Sequence, residues 1–354
     1  MIQVATLRRA LFSGSLVALA ACGGSSTSTV STDTAAPSDT VAAETTTTAV
    51  PVVVNPLTGE PAADETTLSR PAMVVKIDNH PSAHPQAGIN QADIIYEENV
   101  EKLTRFAAVF QSQGSDPVGP IRSGRFQDIN LLGSLNKPLF VWSGGNAQVT
   151  AAIHKSDLVD LSHTVANKNG GFTRDKTRTA PHDLIAETTK LWTLAPDGSG
   201  PPPAQFAYRG ASDAMPSGAQ KVDGVKISMD GVKVHWMWNG TNSTFDRFEN
   251  EKPQLDTADV QLNVRNVVLL EVEYTNSYSP TSKTLGSGKV TVFTNGAAIS
   301  GTWTRQTRYV PFMLKDSSGA VIKLTPGRTF VEVARADKAA IVALGADPAE
   351  VKYP

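Results

Sequence analysis

The sequence predicts an α/β N-terminal domain and a mainly-β C-terminal domain, both following a disordered, lipidated tether. Three observations carry this. Short apolar runs alternate with helix-spaced segments between Met73 and Trp192. The second half holds the hairpin signatures Asp230-Gly231 and Asn295-Gly296. The sole cysteine, Cys22, closes a leader-like segment.

That segment has Arg8 and Arg9, an apolar run from Ala10 to Ala21, and small residues ahead of the thiol. Leu19-Ala20-Ala21-Cys22 resembles a bacterial lipobox, where a diacylglycerol joins the cysteine before cleavage. Residues 1–21 are therefore expected to be a signal peptide and Cys22 the lipidated residue. The apolar run is about a dozen residues, and a spanning helix needs roughly 20. The chain is expected to be held at the membrane by lipid. A lipidated Cys22 leaves no thiol, which excludes disulfides, thiolate metal sites and a cysteine nucleophile. Loss of residues 1–21 removes two arginines and no acid, leaving 30 basic against 34 acidic groups. A mildly acidic chain argues against nucleic acid as a partner.

Residues 22–54, rich in Ser and Thr and free of aromatics, read as the tether. Residues 55–207 read as the α/β domain and 208–354 as the β domain, with a proline-rich connection over 196–221. In the first domain Met73–Ile77, Asp93–Tyr96, Leu103–Phe110 and Leu139–Trp142 are predicted strands. Phe126, Ile129 and Leu132 fall at helical spacing, and a helix is expected through His154. Pro181 suits the first turn of another helix running to Trp192. In the second domain Val225–Met229 pairs with Val232–Trp238, and Lys289–Thr294 with Ala297–Thr304. Val264–Tyr274 is a long central strand, and Asp337–Leu344 reads as a late helix. The two halves are expected to fold independently.

Three polar clusters could carry chemistry. Lys76-Ile77-Asp78-Asn79-His80-Pro81 ends the first strand, where open α/β sheets place their sites. The same residues also make good turns. Arg105, Arg122 and Arg125 supply guanidinium forks for a phosphate or carboxylate, or for ion pairs with Glu97, Glu98 or Glu101. His182, in Thr179-Ala180-Pro181-His182-Asp183, could act as acid or base, or could simply pack locally. His80 and His84 have the i, i+4 spacing of zinc ligands, but Pro81 and Pro85 break a helix there, so no metal is expected. Gly286-Ser287-Gly288-Lys289 lacks the first glycine and the Ser/Thr of a P-loop. No cofactor is expected.

Several motifs occur in a fixed order: Asn55-Pro56-Leu57-Thr58-Gly59, Ile77-Asp78-Asn79-His80-Pro81, Pro85-Gln86-Ala87-Gly88-Ile89 and Gln91-Ala92-Asp93-Ile94-Ile95-Tyr96-Glu97. Thr104-Arg105-Phe106, Gly119-Pro120-Ile121-Arg122-Ser123, Ala180-Pro181-His182-Asp183-Leu184 and Asn266-Val267-Val268 continue the series. Together they resemble the YerB-type lipoproteins, a bacterial family of unknown function. The resemblance implies two domains and a lipid anchor, and no activity. The family pattern often has Asn where this chain has Asp183, so catalysis is not assigned to that residue.

Three functions remain open. The first is an outward-facing envelope lipoprotein binding a wall glycan, peptide or anionic polymer through Asp78, Asn79, His80, Glu97, Arg105, Arg122, Arg125 and His182. The second is an envelope hydrolase or transferase, with Asp78 or Glu97 as base and His80 or His182 as acid. The third is a non-catalytic scaffold for another envelope protein, presenting Trp236, Trp238 and Trp303.

Overall fold

The computed structural model describes residues 52–354. The signal peptide, Cys22 and the tether up to residue 51 lie outside the described residues. Val54 already bridges to Pro61, ahead of the boundary expected at residue 55.

The first half contributes β1 (Met73–Asp78), β2 (Ile94–Val100), β3 (Leu103–Phe110), β4 (Leu139–Trp142) and β5 (Val159–Ser162). Its short strands β6 (Phe172–Arg174) and β7 (Leu184–Ala186) make a separate ribbon. Its helices are α1 (Glu65–Ser69), α2 (Phe126–Leu131), α3 (Ala147–Lys155), α4 (His163–Ala166) and α5 (Thr188–Trp192). The second half is built of strands: β8 (Gln220–Met229), β9 (Val232–Asn239), β10 (Thr244–Glu249), β11 (Lys252–Pro253), β12 (Asn263–Val264) and β13 (Asn266–Val272). They continue with β14 (Gly286–Thr294), β15 (Ala297–Arg305), β16 (Met313–Asp316), β17 (Thr329–Arg335) and β18 (Ala339–Ala343). The α/β and mainly-β characters of the two halves are as the sequence predicts.

Independence is not. One sheet runs β11-β10-β9-β8-β15-β14-β13-β17-β2-β3-β1-β4-β5. Strand β17 pairs in parallel with β13 on one side and with β2 on the other, so the halves share main-chain hydrogen bonds. Each face carries one apolar cluster, and both clusters draw on both halves. One joins Val75, Ile77 and Phe106 to Trp236, Phe245 and Phe330. The other joins Val74, Tyr96, Phe140 and Ile153 to Leu270, Val331 and Trp303. Residues 52–354 therefore form a single unit.

One helix prediction is overturned, and a second holds only over Thr188–Trp192. Ala339–Ala343 is a strand, antiparallel to β8. Its alanines favour a helix, but propensity yields to tertiary pairing, which here satisfies the N–H and C=O groups that β8 would otherwise leave open. Leu184–Ala186 is also a strand, because the Val118 and Ile121 amides donate to Ala186 and Leu184 carbonyls at 2.8 and 2.6 Å. His182 thus lies in a turn before β7 and not in a helix. The tryptophan surface expected of a scaffold does not form: Trp236 is fully buried and Trp303 is 2% exposed.

Candidate functional site

Strand β1 runs parallel to β4, and their C-terminal ends gather the polar residues. Beyond Ile77 the chain at 120–122 lies against β1. The Asp78 amide donates to the Pro120 carbonyl at 2.9 Å and the Arg122 amide to that of Lys76 at 2.8 Å. The Ser143 amide, just past β4, donates to the Arg122 carbonyl at 3.0 Å. Because Ile121 also holds Leu184, His182 is delivered to the same place.

Asp78 is the centre, with its side chain 1% exposed. Its Oδ2 accepts from Arg122 Nε at 3.0 Å and meets His182 Nδ1 at 2.7 Å. Its Oδ1 accepts from the His80 amide at 3.1 Å and lies 3.9 Å from Arg105 Nη2. Arg105 is the register partner of Asp78 on β3. Burial alone would raise the Asp78 pKa, but Arg105, His182, the His80 amide and Arg122 together hold it below the usual value.

The two imidazoles are stacked, with centroids 4.5 Å apart and planes at 15°. His80 Nδ1 accepts from the Ser82 amide at 3.1 Å, which assigns its proton to Nε2. His182 Nδ1 donates to Asp78, so the neutral ring has a free lone pair on Nε2. Neither Nε2 has a protein partner among the described residues. The stack therefore carries one free donor and one free acceptor.

The arginines are under-compensated. Arg122 and Arg105 share Asp78, while Arg125 pairs with Glu101 at 2.6 Å. Three guanidiniums thus meet two carboxylates. Nε of Arg105 and of Arg125 makes no hydrogen bond, and among the described residues the sole side-chain hydrogen bond of Arg105 is a 3.5 Å contact with the Ser123 carbonyl. Burial, then Arg125, push the Arg105 pKa down to about 10, with Asp78 opposing.

Two predicted members lie elsewhere. Asn79, which follows Asp78, leaves on the other face and donates to Thr104 Oγ1 and Glu249 Oε2, each at 2.8 Å. Glu97 is also on that face, against Arg247 Nη2 at 2.5 Å. The reason is the period of two along a strand. His84, likewise, meets Asn79 and Glu249 and not His80. No group of three His, Cys, Asp or Glu side chains that could hold a metal occurs among the described residues.

Sequence reasoning missed the buried charges behind the site. Lys76 Nζ lies 2.8 Å from both Glu98 and Asp128, on the Asp78 side of the sheet. On the opposite face Arg247 holds Glu97 and Glu249, and Trp236 Nε1 donates to Glu332 at 2.8 Å. For Glu332 the trace in the sequence is a charge inside an apolar run, Phe330-Val331-Glu332-Val333-Ala334.

Two family profiles match the chain: the N-terminal domain of a protein of unknown function (DUF3048) over residues 57–200, and its C-terminal domain over 225–331. Over 94 residues the chain is 44% identical to the Bacillus subtilis (strain 168) protein named "Putative lipoprotein YerB". That stretch spans 25% of this chain and 28% of the relative. The crystal structure of YerB from Bacillus subtilis matches with a TM-score of 0.71 at 20% identity, covering 82% of this chain and 99% of that one. At that identity the likeness is one of fold. Among the described residues no helix is long and apolar enough to cross a membrane. The two profiles together span well over half of the sequence, in order, and the chain belongs to the DUF3048 family.

Proposed function

We propose that the protein is a cell-envelope lipoprotein, anchored outward-facing through Cys22, that binds an anionic envelope ligand at the Asp78 cluster. The observation that carries the reading is the surplus guanidinium: Arg105 is 5% exposed and its Nε makes no hydrogen bond. A buried cation without full compensation is costly, and an anion supplies what is missing. The exposed edge of Arg122 and the two free imidazole nitrogens line the approach. A phosphate or carboxylate on a wall glycan, peptide or polymer suits these donors.

The test is titration of the protein with inorganic phosphate and with glycerol phosphate, read from the imidazole proton resonances of His80 and His182. Both resonances are expected to shift saturably. Arg122→Ala removes one charge-assisted hydrogen bond and should weaken binding about tenfold or more. Unchanged affinity in that variant, or unshifted histidines, would sink the reading. Anchoring is tested separately. Cys22→Ala should move the protein from the membrane fraction to a soluble or uncleaved form, and a cleaved variant still in the membrane fraction would contradict it.

A second reading is favoured by one feature. His182 Nε2 is a base backed by Asp78, and His80 Nε2–H is a hydrogen-bond donor that becomes a general acid when the ring is protonated, as a hydrolase or transferase acting on the same ligand requires.

A further inference from the structure

Far along the chain from these residues, the end of β15 and β16 enclose a cavity of about 550 Å³ with segments 204–207 and 310–314. Its walls are Phe206, Phe312, Leu314 and Ile322, all buried, and Val310 and Val321 stand at its mouth, each 44% exposed. Such a volume is typical of small-molecule sites, which run from about 300 to 1,000 Å³.

One wall residue is charged. Arg305 is 1% exposed, and among the described residues no carboxylate pairs with it. Its Nε and Nη2 donate to the carbonyls of Val310, Leu131 and Arg308. Its Nη1 makes no hydrogen bond. The groups that act on it electrostatically are Tyr96, whose phenol burial pushes up to about 12 and so keeps neutral, and Arg308, which repels it. The guanidinium carbon lies 4.6 Å from the centroid of the Phe312 ring, and Nη1 is closed from solvent. Entry of an anion therefore requires the groups packed against Nη1 to give way.

We propose that this cavity binds a single-chain amphiphile with a terminal carboxylate, of the fatty-acid class. The carboxylate meets Arg305 Nη1 and the chain lies along Phe206, Phe312, Leu314 and Ile322. An apolar tail alone would leave the guanidinium uncompensated, and a small polar anion would leave the apolar walls wet. A carboxylate on a hydrocarbon chain answers both. The site shares no residue with the Asp78 cluster.

Trp303 gives the readout, since its ring meets Phe312 edge-on at 5.6 Å and is 2% exposed. The full chain is titrated with dodecanoate below its micelle concentration, with dodecanol and decyltrimethylammonium alongside. Dodecanoate should give a saturable fluorescence change that Trp303→Phe removes, and should bind at least tenfold more tightly than either control. Arg305→Gln should abolish the preference for the carboxylate. Because Arg305 also holds three backbone carbonyls, that variant could fail to fold. Val321→Glu and Val321→Lys change only the charge at the half-exposed mouth and keep the test open. Glu should weaken dodecanoate several-fold and leave dodecanol unchanged, and Lys should strengthen it. Phospholipid vesicles without free fatty acid form a further arm, and their failure to compete places the source as a free acid. Equal binding of dodecanoate and dodecanol, no binding, or indifference to charge at position 321 would overturn the proposal. Loss of phosphate binding at the Asp78 cluster would not touch it.

Discussion

Arg247→Met is expected to lower the unfolding free energy by on the order of 3–5 kcal/mol, as removal of one partner from a buried ion cluster does. Arg247 is fully buried, with its guanidinium carbon 5.3 to 5.8 Å from the ring centroids of Phe106, Trp236 and Phe330. It is the cation bonded to Glu97 at 2.5 Å and to Glu249 at 3.0 Å. Burial works against its charge, but Glu97, Glu249 and Glu332 outweigh that and raise its pKa. Methionine would fill much of the volume and leave two carboxylates buried without their cation. Glu332 provides the contrast. Burial, then Glu97 beside it in register, raise its pKa well above the ordinary value, which favours its neutral form. Glu332→Gln keeps a neutral acceptor for Trp236 and should cost no more than about 1.5 kcal/mol. Denaturant melts of the two variants check this. Comparable losses in both would show that the arginine is not the keystone of the cluster.

Fragments 55–207 and 208–354, expressed apart, are expected to show no cooperative unfolding, and mixing them should restore it. The first fragment would expose β2 along the five residues, Ile94 to Glu98, that pair with β17. It would also bury Glu97 without Arg247. The second would lose the same pairing from β17 and the apolar partners Ile77 and Phe106. A bare edge strand of this length is a template for aggregation. Circular dichroism melts of each fragment, alone and mixed, give the answer. A sharp transition in either fragment by itself would mean that the shared strand is dispensable.

Much of this architecture was legible locally. Asp230-Gly231 and Asn295-Gly296 fixed two hairpins because a two-residue turn needs those residues. Leu139–Trp142 and Leu103–Phe110 were read to the residue, since the first is an unbroken apolar run and the second is rich in β-formers. The gathering of Asp78, His80, Arg105, Arg122 and His182 was also legible, because strand ends collect at one edge of a sheet. What escaped was decided by distant pairing. Nothing near Thr329–Arg335 announces that it will lie between β13 and β2. Nothing near Glu97 announces an arginine 150 residues away. Ala339–Ala343 was misread for the same reason: its own composition suggests a helix, and its partner β8 lies more than a hundred residues earlier. Asn79 and Glu97 were assigned to the wrong face because proximity in sequence was weighed without strand alternation.

Asp78 and Asn79 share one peptide plane, yet Asp78 holds arginine and imidazole on one face while Asn79 holds Glu249 on the other. A backbone rotation that re-aims either side chain re-aims both. The Asp78 cluster and the packing of the two halves are thus geared together through a single dipeptide. Substitutions on the two faces, though separated by the thickness of a sheet, should not behave as independent changes. The molecule has little freedom to adapt one surface to a new ligand without also answering for the other.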